Sequence, residues 1–327
     1  MLVIRTYERN GYTVYPIVVP AGYGLETCNF YLVKHDSGLT LIDAGMPDDS
    51  SWEGLIKALE NNSFRLEDLT EILFTHHHID HVGLVNRITK THSIPVYAHS
   101  LSVPRLKRDK EFLKMRVEFF EQLYHEMNCG EEGKKQIQYL KKSINKNDHL
   151  KVEQEITTLQ EGMSLFNFKI KEVPGHAPDQ IAFIDETSKW CFAGDHLIQH
   201  ISSNALVEPD LLGKRIHSLV DYKNSLKAFI DVNVDFVFSG HGELIQDPKK
   251  LIEMRLSKIK KKSEKVKGLI DSGITTGSEL AKHLYQRHYS TQFALVMSEV
   301  IGHLDALESD GQIEKTMRAG AWHYRLG

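Results

Sequence analysis

The chain has 327 residues, of which 41% are hydrophobic and 26% charged, with a formal net charge of -4. This allows one large globular domain, or a catalytic domain with a smaller appendage. The charge excludes a general attraction to DNA or anionic membranes, and no apolar run reaches membrane-spanning length. Arg5 and Arg9 come too early for a secretory signal, and three widely spaced cysteines fit a reducing compartment. We therefore predict a cytoplasmic protein that does not bind membranes.

The first half of the chain predicts short strands and amphipathic helices. Turn-forming residues separate the apolar runs, and the helical segments carry their apolar residues on one side. We predict strands at 12–20, 28–45 (with a turn at 36–38), 71–75 and 95–99, and helices at 51–62 and 83–91.

A helical insertion is predicted between about residues 103 and 147. Its apolar residues form one stripe, which fits two interpretations equally well. The insertion packs on the domain core, or it forms a lid or pocket wall.

Strands return in the second half, at 164–175, 180–186, 189–195 and 235–240, with a helix at 217–231. Two β-rich repeats flanked by helices predict a sandwich of mixed sheets with helices outside. We assign this catalytic domain to residues 1–248.

The remaining residues, 249–327, predict a small helical domain. A basic helix at 249–271 precedes a second helix capped by Ser278, and a third helix ends at Gly311. A hairpin then completes the outline of a winged-helix-like module.

Histidine and aspartate residues collect where predicted strands end. His76, His78, Asp80 and His81 follow the strand 71–75 almost together. Alternate residues His76 and His78 point the same way and can share one cation, while Asp80 and His81 begin a second site. Imidazole and carboxylate ligands suit zinc, and also iron or manganese.

Three further residues of the same chemistry follow later strands. His176 lies in EVPGHAPD, Asp195 in CFAGDH and His241 in FVFSGHGE. Because all of them lie at strand ends, one rim of the sandwich can gather them, and the two carboxylate oxygens of Asp195 can bridge two cations. A lone loop histidine is usually an ordinary surface residue, but this combination predicts a metal site.

The order THHHIDH, PGH, GDH and SGH, preceded by LIDAG at 41–45, resembles the metallo-β-lactamase superfamily over residues 15–245. The resemblance implies an αββα sandwich with two divalent metal ions, most readily Zn²⁺, at one edge. It places His76, His78 and His176 on the first metal and Asp80, His81 and His241 on the second, with Asp195 between them. Asp43 would support the metal loop through hydrogen bonds. The histidine at 78 and the aspartate at 195 resemble the glyoxalase II-like and lactonase-like branches.

These residues predict hydrolysis of an ester, thioester or lactone in a small-molecule substrate. Two cations lower the pKa of a bridging water, and Asp80 orients the resulting hydroxide or takes its proton. Lys214 and Arg215 are candidates for binding substrate carboxylates, and segments 21–27 and 199–204 are candidate pocket walls. Thr75 is expected to bond within the metal loop, His77 to be structural, and His196 to support a ligand. His99 either supports the site or is an ordinary core residue.

Two rival functions come from the carboxy-terminal module, which resembles the appendage of lactamase-β-like-2-type members. The first is an endoribonuclease that binds single-stranded RNA through the basic helix 255–267 and the aromatic residues Trp322 and Tyr324. The second is a ligand-sensing DNA-binding regulator, but Glu299, Asp305, Glu308 and Asp310 on the third helix repel phosphate. Nucleic acid is therefore a possible but disfavoured partner, and we expect the module to pack on the catalytic domain or to support a homodimer.

Overall fold

Two β-sheets packed face to face form the centre of the computed structural model, which describes residues 5–22 and 24–327. Tyr23, part of the predicted pocket wall at 21–27, lies outside the described residues, as do residues 1–4. The first sheet has its strands in chain order, antiparallel up to β4 and parallel afterwards. Its strands are β1 (Tyr7–Arg9), β2 (Tyr12–Pro20), β3 (Thr27–His35), β4 (Gly38–Ile42), β5 (Glu71–Leu73), β6 (Val96–His99) and β7 (Ile156–Leu159).

The second sheet contains the strands of the second half in the order β12-β11-β10-β9-β8. All of its pairs are antiparallel except β11 with β12, which run parallel. The strands are β8 (Ser164–Leu165), β9 (Phe168–Glu172), β10 (Ile181–Asp185), β11 (Trp190–Gly194) and β12 (Phe236–Ser239). Every residue of β10 and β11 is buried, as expected for strands covered on both faces.

Apolar side chains from both sheets interlock between them, including Tyr31 and Val33 from β3 and Phe168, Phe192 and Phe238 from the second sheet. The Phe192 and Phe238 rings stack with centroids 4.7 Å apart. This shared core fixes how the two sheets face each other, and therefore which strand ends meet at one edge.

Helices cover the outer face of each sheet, so the predicted αββα sandwich is confirmed. The first sheet packs against α1 (Asp49–Asn61) and α3 (Val85–Thr91), and the second against α7 (Ser218–Phe229) and the start of α8 (Pro248–Asp271). Helix α1 begins where the Asp48 carboxylate accepts a hydrogen bond from the Ser51 backbone N–H at 2.8 Å.

The predicted insertion is helical and contains α4 (Val103–Leu106), α5 (Lys110–Glu126) and α6 (Gly130–Lys146). The residues after α8 form α9 (Gly277–Tyr285), α10 (Phe293–Ser309) and a hairpin of β13 (Ile313–Arg318) and β14 (Ala321–Leu326). The apolar faces of α5 and α6 share one hydrophobic core with α9, α10 and the hairpin. The insertion thus packs mainly on the carboxy-terminal segment. The domain boundary at 248 and the winged-helix assignment stay predictions.

Several local predictions need correction. Helix α9 is capped by Thr276 in a reciprocal capping box with Glu279, not by Ser278, which lies inside the helix. The strand expected at 164–175 is a tight hairpin of β8 and β9. A four-residue helix, α2 (Ile79–Val82), precedes α3. Gly311 does follow α10 in the left-handed conformation, with φ of 66°. Among the described helices, none is long and apolar enough to cross a membrane.

Candidate metal centre

Strand ends bring all seven predicted ligands to one edge of the sandwich. His76 and His78 follow β5, and α2 then presents Asp80 and His81. The other three residues come from the second sheet, where His176, Asp195 and His241 follow β9, β11 and β12. Their side chains form three overlapping groups whose candidate ligand atoms lie within 4.8 Å of one another.

The first group consists of His76, His78 and His176. The Nδ1 atom of His78 lies 2.9 Å from Nε2 of His76 and 2.9 Å from Nε2 of His176. Three ring nitrogens thus converge on one point. Ligand atoms around a tetrahedral zinc lie about 3.3 Å apart, given metal–nitrogen distances of about 2.0–2.1 Å. The arrangement is therefore close to a coordination shell.

The second group consists of Asp80, His81 and His241, with Asp195 between the two groups. Nε2 of His241 lies 3.4 Å from Oδ2 of Asp80 and 3.2 Å from Oδ2 of Asp195. The Asp195 carboxylate also reaches His81 Nε2 through Oδ1 and His176 Nε2 through Oδ2, each at 3.4 Å. Asp195 therefore faces candidate ligands of both groups.

Unsatisfied polar atoms at this edge fit bound metal. His81 Nε2, His241 Nε2 and Asp195 Oδ1 are buried and have no hydrogen-bond partner among the described residues. Such atoms are costly unless something pairs with them. They point into the cluster, and imidazole with carboxylate is the donor set that divalent transition metals favour. The residues present thus fit two divalent metal ions.

A glycine makes room for this cluster. A Cβ atom on Gly240 would lie 2.4 Å from Asp195 Oδ1 and 2.5 Å from His81 Cε1, well inside van der Waals contact. Only glycine at position 240 leaves both ligands where they are.

Asp43 connects the metal loop to the first sheet. Its carboxylate accepts hydrogen bonds from the Thr75 backbone N–H at 2.8 Å and the Thr75 hydroxyl at 2.9 Å. Its Oδ2 also lies 2.7 Å from His81 Nδ1. A proton held on Nδ1 by this carboxylate leaves Nε2 of His81 as the lone-pair donor toward the cluster. Asp43 adopts a left-handed backbone with φ of 59°, which aspartate tolerates better than most residues.

Two other ligands are oriented by backbone carbonyls that sequence analysis did not identify. His176 Nδ1 lies 2.9 Å from the Asn204 carbonyl and 3.0 Å from the Ser203 hydroxyl. His241 Nδ1 lies 2.7 Å from the Thr27 carbonyl oxygen. Each contact leaves Nε2 directed at the cluster. Every residue has a backbone carbonyl group, so a sequence pattern cannot show which ones contact a ligand. Only the fold identifies them.

Electrostatics divide the histidines into two kinds. Burial, aided by the neighbouring imidazoles, lowers the pKa of His76 and His78 well below the usual value, and burial lowers that of His176. Burial also opposes charge on His241, but Asp195 overcomes it and raises the pKa of His241 to about 10. The histidines of the first group are therefore neutral, whereas His241 of the second group lies against carboxylates that favour its charged form.

The carboxylates stay ionised although they are buried. Burial alone would raise the pKa of Asp195, but His241 and His81 hold it well below the usual value. His81 and His241 lower the pKa of Asp80 against the same effect of burial. Of the paired carboxylates here, Asp80 is the more accessible, with 20% of its side chain exposed against 6% for Asp195.

His77 belongs to a separate polar contact behind the metal loop. Its Nδ1 lies 2.6 Å from Oδ1 of the fully buried Asp179, whose Oδ2 accepts a hydrogen bond from Ser102 at 2.5 Å. This agrees with the predicted structural role of His77. Asp179 was missed, although it lies three residues after His176 in the same motif.

Two other histidines do not support the ligands. His196 was expected to do so, but its buried ring nitrogens have no hydrogen-bond partner among the described residues, and its ring packs on Tyr222 and Phe229. His99 contacts Glu172 and the Leu101 backbone N–H, which identifies it as a satisfied core residue.

The two basic residues predicted to bind substrate carboxylates, Arg215 and Lys214, differ in their exposure and contacts. Arg215 forms an ion pair with Asp305 of α10, with Nη2 2.9 Å from Oδ1 and only 16% of the arginine side chain exposed, so it joins the 203–216 segment to the carboxy-terminal helices. Lys214 remains exposed. Arg215 is therefore unsuited to binding substrate carboxylates.

Comparison with known proteins gives consistent results. The family model of the metallo-beta-lactamase superfamily matches residues 23–241. The probable metallo-hydrolase YqjP of Bacillus subtilis is 32% identical over 305 residues, covering 92% of this chain and 93% of that protein. A beta-lactamase-like protein 2 homolog of Caenorhabditis elegans is 24% identical over 272 residues, covering 81% of this chain and 73% of that protein.

The fold is also similar to a solved structure. A metallo-beta-lactamase family protein of Thermus thermophilus superposes with a TM-score of 0.79 at 24% sequence identity. The match covers 96% of this chain and 98% of that one, so it extends well beyond the sandwich.

Proposed function

The chain belongs to the metallo-β-lactamase superfamily and is a metal-dependent hydrolase, and we propose that it uses two divalent metal ions to cleave an ester, thioester or lactone of a small molecule. The observation that carries this proposal is the seven-residue cluster, in which Asp195 faces both ligand groups. Zinc is the preferred metal, because imidazole and carboxylate donors suit it, and iron and manganese are alternatives.

In this proposal His76, His78 and His176 would hold one metal ion, Asp80, His81 and His241 would hold the other, and Asp195 would contribute a carboxylate oxygen to each. When bound, the cations lower the pKa of a water and polarise the substrate carbonyl. Asp80 is ionised and partly open to solvent. Its carboxylate can accept a hydrogen bond from the attacking water and direct a water lone pair at the carbonyl carbon. Asp43, Asn204 and Thr27 keep the ligand rings oriented during turnover.

Names of more distant relatives support a thioester or related acyl bond. A hydroxyacylglutathione hydrolase of Bdellovibrio bacteriovorus is 25% identical over 128 residues, which is 34% of that protein. An atrochrysone carboxyl ACP thioesterase of Aspergillus chevalieri is 24% identical over 258 residues, covering 64% of that protein. Both act on acyl groups by name, and we carry this bond class over as part of the proposal.

The structure gives the ribonuclease rival less support than the sequence did. Tyr324 is 1% exposed, and Trp322 donates its indole N–H to Glu126 at 3.0 Å. A buried tyrosine cannot stack on a base. The DNA-binding rival is weakened similarly, because most of α10 is buried in the molecule. We expect metal-loaded protein to hydrolyse thioesters or lactones and to leave single-stranded RNA intact. Cleavage of RNA alone would reverse this proposal.

A further inference from the structure

A basic pocket lies beside the loop of residues 196–204, whose Ser203 and Asn204 contact the candidate ligand His176. The pocket has a volume of about 330 Å³ and is lined by one face of α8, the 202–203 segment, α7 and α10. Residues Arg255, Lys258, Lys262 and Lys265 recur on α8 at helical spacing and line it together with Lys261. Nothing in the proposed chemistry of the metal centre uses these residues.

The charges in this pocket are not balanced by the protein. Lys262 donates to Glu299 at 2.6 Å. Lys258, Lys261 and Lys265 are exposed and have no acidic partner within 4.0 Å among the residues that the structure describes. Lysines on a helix surface are usually paired or simply solvated. Here three unpaired ammonium groups share one concave site, which raises the local affinity for an anion.

The base of the pocket is built from buried polar groups. Arg255 is only 2% exposed, and its Nη2 donates to the carbonyls of Ile198 and Gln199 at 2.8 and 3.0 Å. His303 is 1% exposed and contacts the Ser263 hydroxyl at 2.8 Å. Arg255 is fixed in place by these bonds while it also lines the pocket. A fixed, buried guanidinium beneath exposed lysines can hold an anion in a defined position.

The pocket wall also reaches the metal centre. Ser203 lines the pocket, and its hydroxyl lies 3.0 Å from Nδ1 of the candidate ligand His176. Tyr222 lines it too and donates to the carbonyl of His196, the residue after Asp195. One loop, residues 196–204, therefore separates the pocket from the ligand cluster.

We propose that this pocket binds the phosphate groups of a phosphorylated small molecule. Lysine binds phosphate as a point charge and arginine through charge-assisted hydrogen bonds, so the set matches a phosphate monoester or diphosphate. A volume of about 330 Å³ suits a small anionic group more than a polymer. Tyr222, the aromatic residue lining the pocket, is 2% exposed and cannot serve as a stacking surface for RNA bases. The phosphate belongs either to the substrate of the metal centre or to a separate ligand, and binding does not depend on which bond is hydrolysed.

Two charge-matched variants test this. The pocket variant combines Lys258→Gln, Lys261→Gln and Lys265→Gln. The control variant combines Lys249→Gln, Lys250→Gln and Lys260→Gln, which removes three exposed charges from the same helix outside the pocket lining. Binding of inorganic pyrophosphate to the metal-loaded proteins is measured by calorimetry. We expect the pocket variant to lose affinity by about tenfold or more, and the control to change less than about twofold.

Kinetics then identify the source of the phosphate. Acetyl phosphopantetheine and acetyl pantetheine differ only in one phosphate group. If the phosphate is part of the substrate, the pocket variant has a higher KM for acetyl phosphopantetheine, close to its KM for acetyl pantetheine, and kcat is unchanged. If pyrophosphate binding is lost without a change in KM, the pocket serves a separate phosphorylated ligand, and the inference still holds. Equal pyrophosphate affinity in the pocket and control variants overturns the inference. The inference is also overturned if the pocket variant loses affinity for single-stranded RNA but keeps its affinity for pyrophosphate. Failure of both thioesters to react would count against thioester cleavage in the proposed function while leaving the binding result intact.

Discussion

Replacing Asp43 with asparagine tests how this residue prepares the metal loop. Asparagine has nearly the same size and also tolerates the left-handed backbone at φ of 59°. Its amide oxygen can still accept the Thr75 backbone N–H. The amide nitrogen, however, then faces His81 Nδ1, where the carboxylate oxygen lay at 2.7 Å. Because that nitrogen only donates, it favours the His81 tautomer with the proton on Nε2, the atom directed at Asp195.

Metal binding must then reverse this tautomer. Loss of such an orienting contact typically costs about 10–100-fold in metal affinity, or about 1.4–2.7 kcal/mol. The assay is competition with a chelator of known affinity, together with metal content per chain. Asp185→Asn is the matched control, because Asp185 is as deeply buried. Within the part of the chain that the structure describes, its carboxylate accepts hydrogen bonds only from the Thr187 and Ser188 backbone N–H groups, in a turn between strands. The reasoning is refuted if Asp43→Asn binds metal within about twofold of Asp185→Asn.

Three further outcomes follow from the same contacts. Gly240→Ala places a methyl group 2.4 Å from Asp195 and 2.5 Å from His81, so metal affinity should fall at least about tenfold. The control is Gly268→Ala on α8, where the methyl group enters open space. This control should leave metal affinity unchanged and stabilise the fold by about 0.5–1 kcal/mol in denaturant titrations. Removing metal with a chelator should abolish hydrolysis and lower the melting temperature while the circular dichroism spectrum stays native, since none of the seven candidate ligands belongs to the apolar core between the two sheets. A collapse of the spectrum would contradict this. Burial opposes charge on Glu299, yet His303 and Lys262 lower its pKa to about 2. The unfolded value is about 4.3, so this stabilisation is present above that pH and is lost as pH falls toward 2. Glu299→Gln should therefore cost about 1–3 kcal/mol of unfolding free energy at pH 7, and the difference should shrink below pH 4.3; a pH-independent difference would be inconsistent with the ion pair.

The seven candidate ligands could be identified in the sequence because each lies in a segment that follows a strand with a clear local pattern. His76 and Asp195, for instance, each need only a β-strand before them, and the packing of the two sheets brings both to one edge of the sandwich. Asp179 was harder to identify because its partner His77 is distant in sequence and a single acidic residue in a loop has no distinctive pattern. The orienting carbonyl groups of Asn204 and Thr27 depend on backbone position alone.

The fold was predictable where burial leaves a strong pattern and not elsewhere. Strand β7 was missed because its residues Ile156–Leu159 are largely exposed at the edge of the first sheet, where apolar alternation is weak. The apolar stripe of α5 was recognised, but a stripe does not specify what covers it. Only the structure pairs it with the carboxy-terminal helices. The expected roles of Arg215 and Tyr324 failed for the same reason, since the contacts of both are long-range.

Turnover of a simple acyl thioester by protein of known metal content tests the central claim most directly. The metal-free chain, the reloaded chain and the reloaded Asp195→Ala variant are compared, with single-stranded RNA as a parallel substrate. We expect thioester hydrolysis to appear only with metal, to reach its maximum at two metal ions per chain and to be lost in the variant, while RNA stays intact. Full hydrolysis by metal-free protein, undiminished turnover by Asp195→Ala, or cleavage of RNA alone would contradict it.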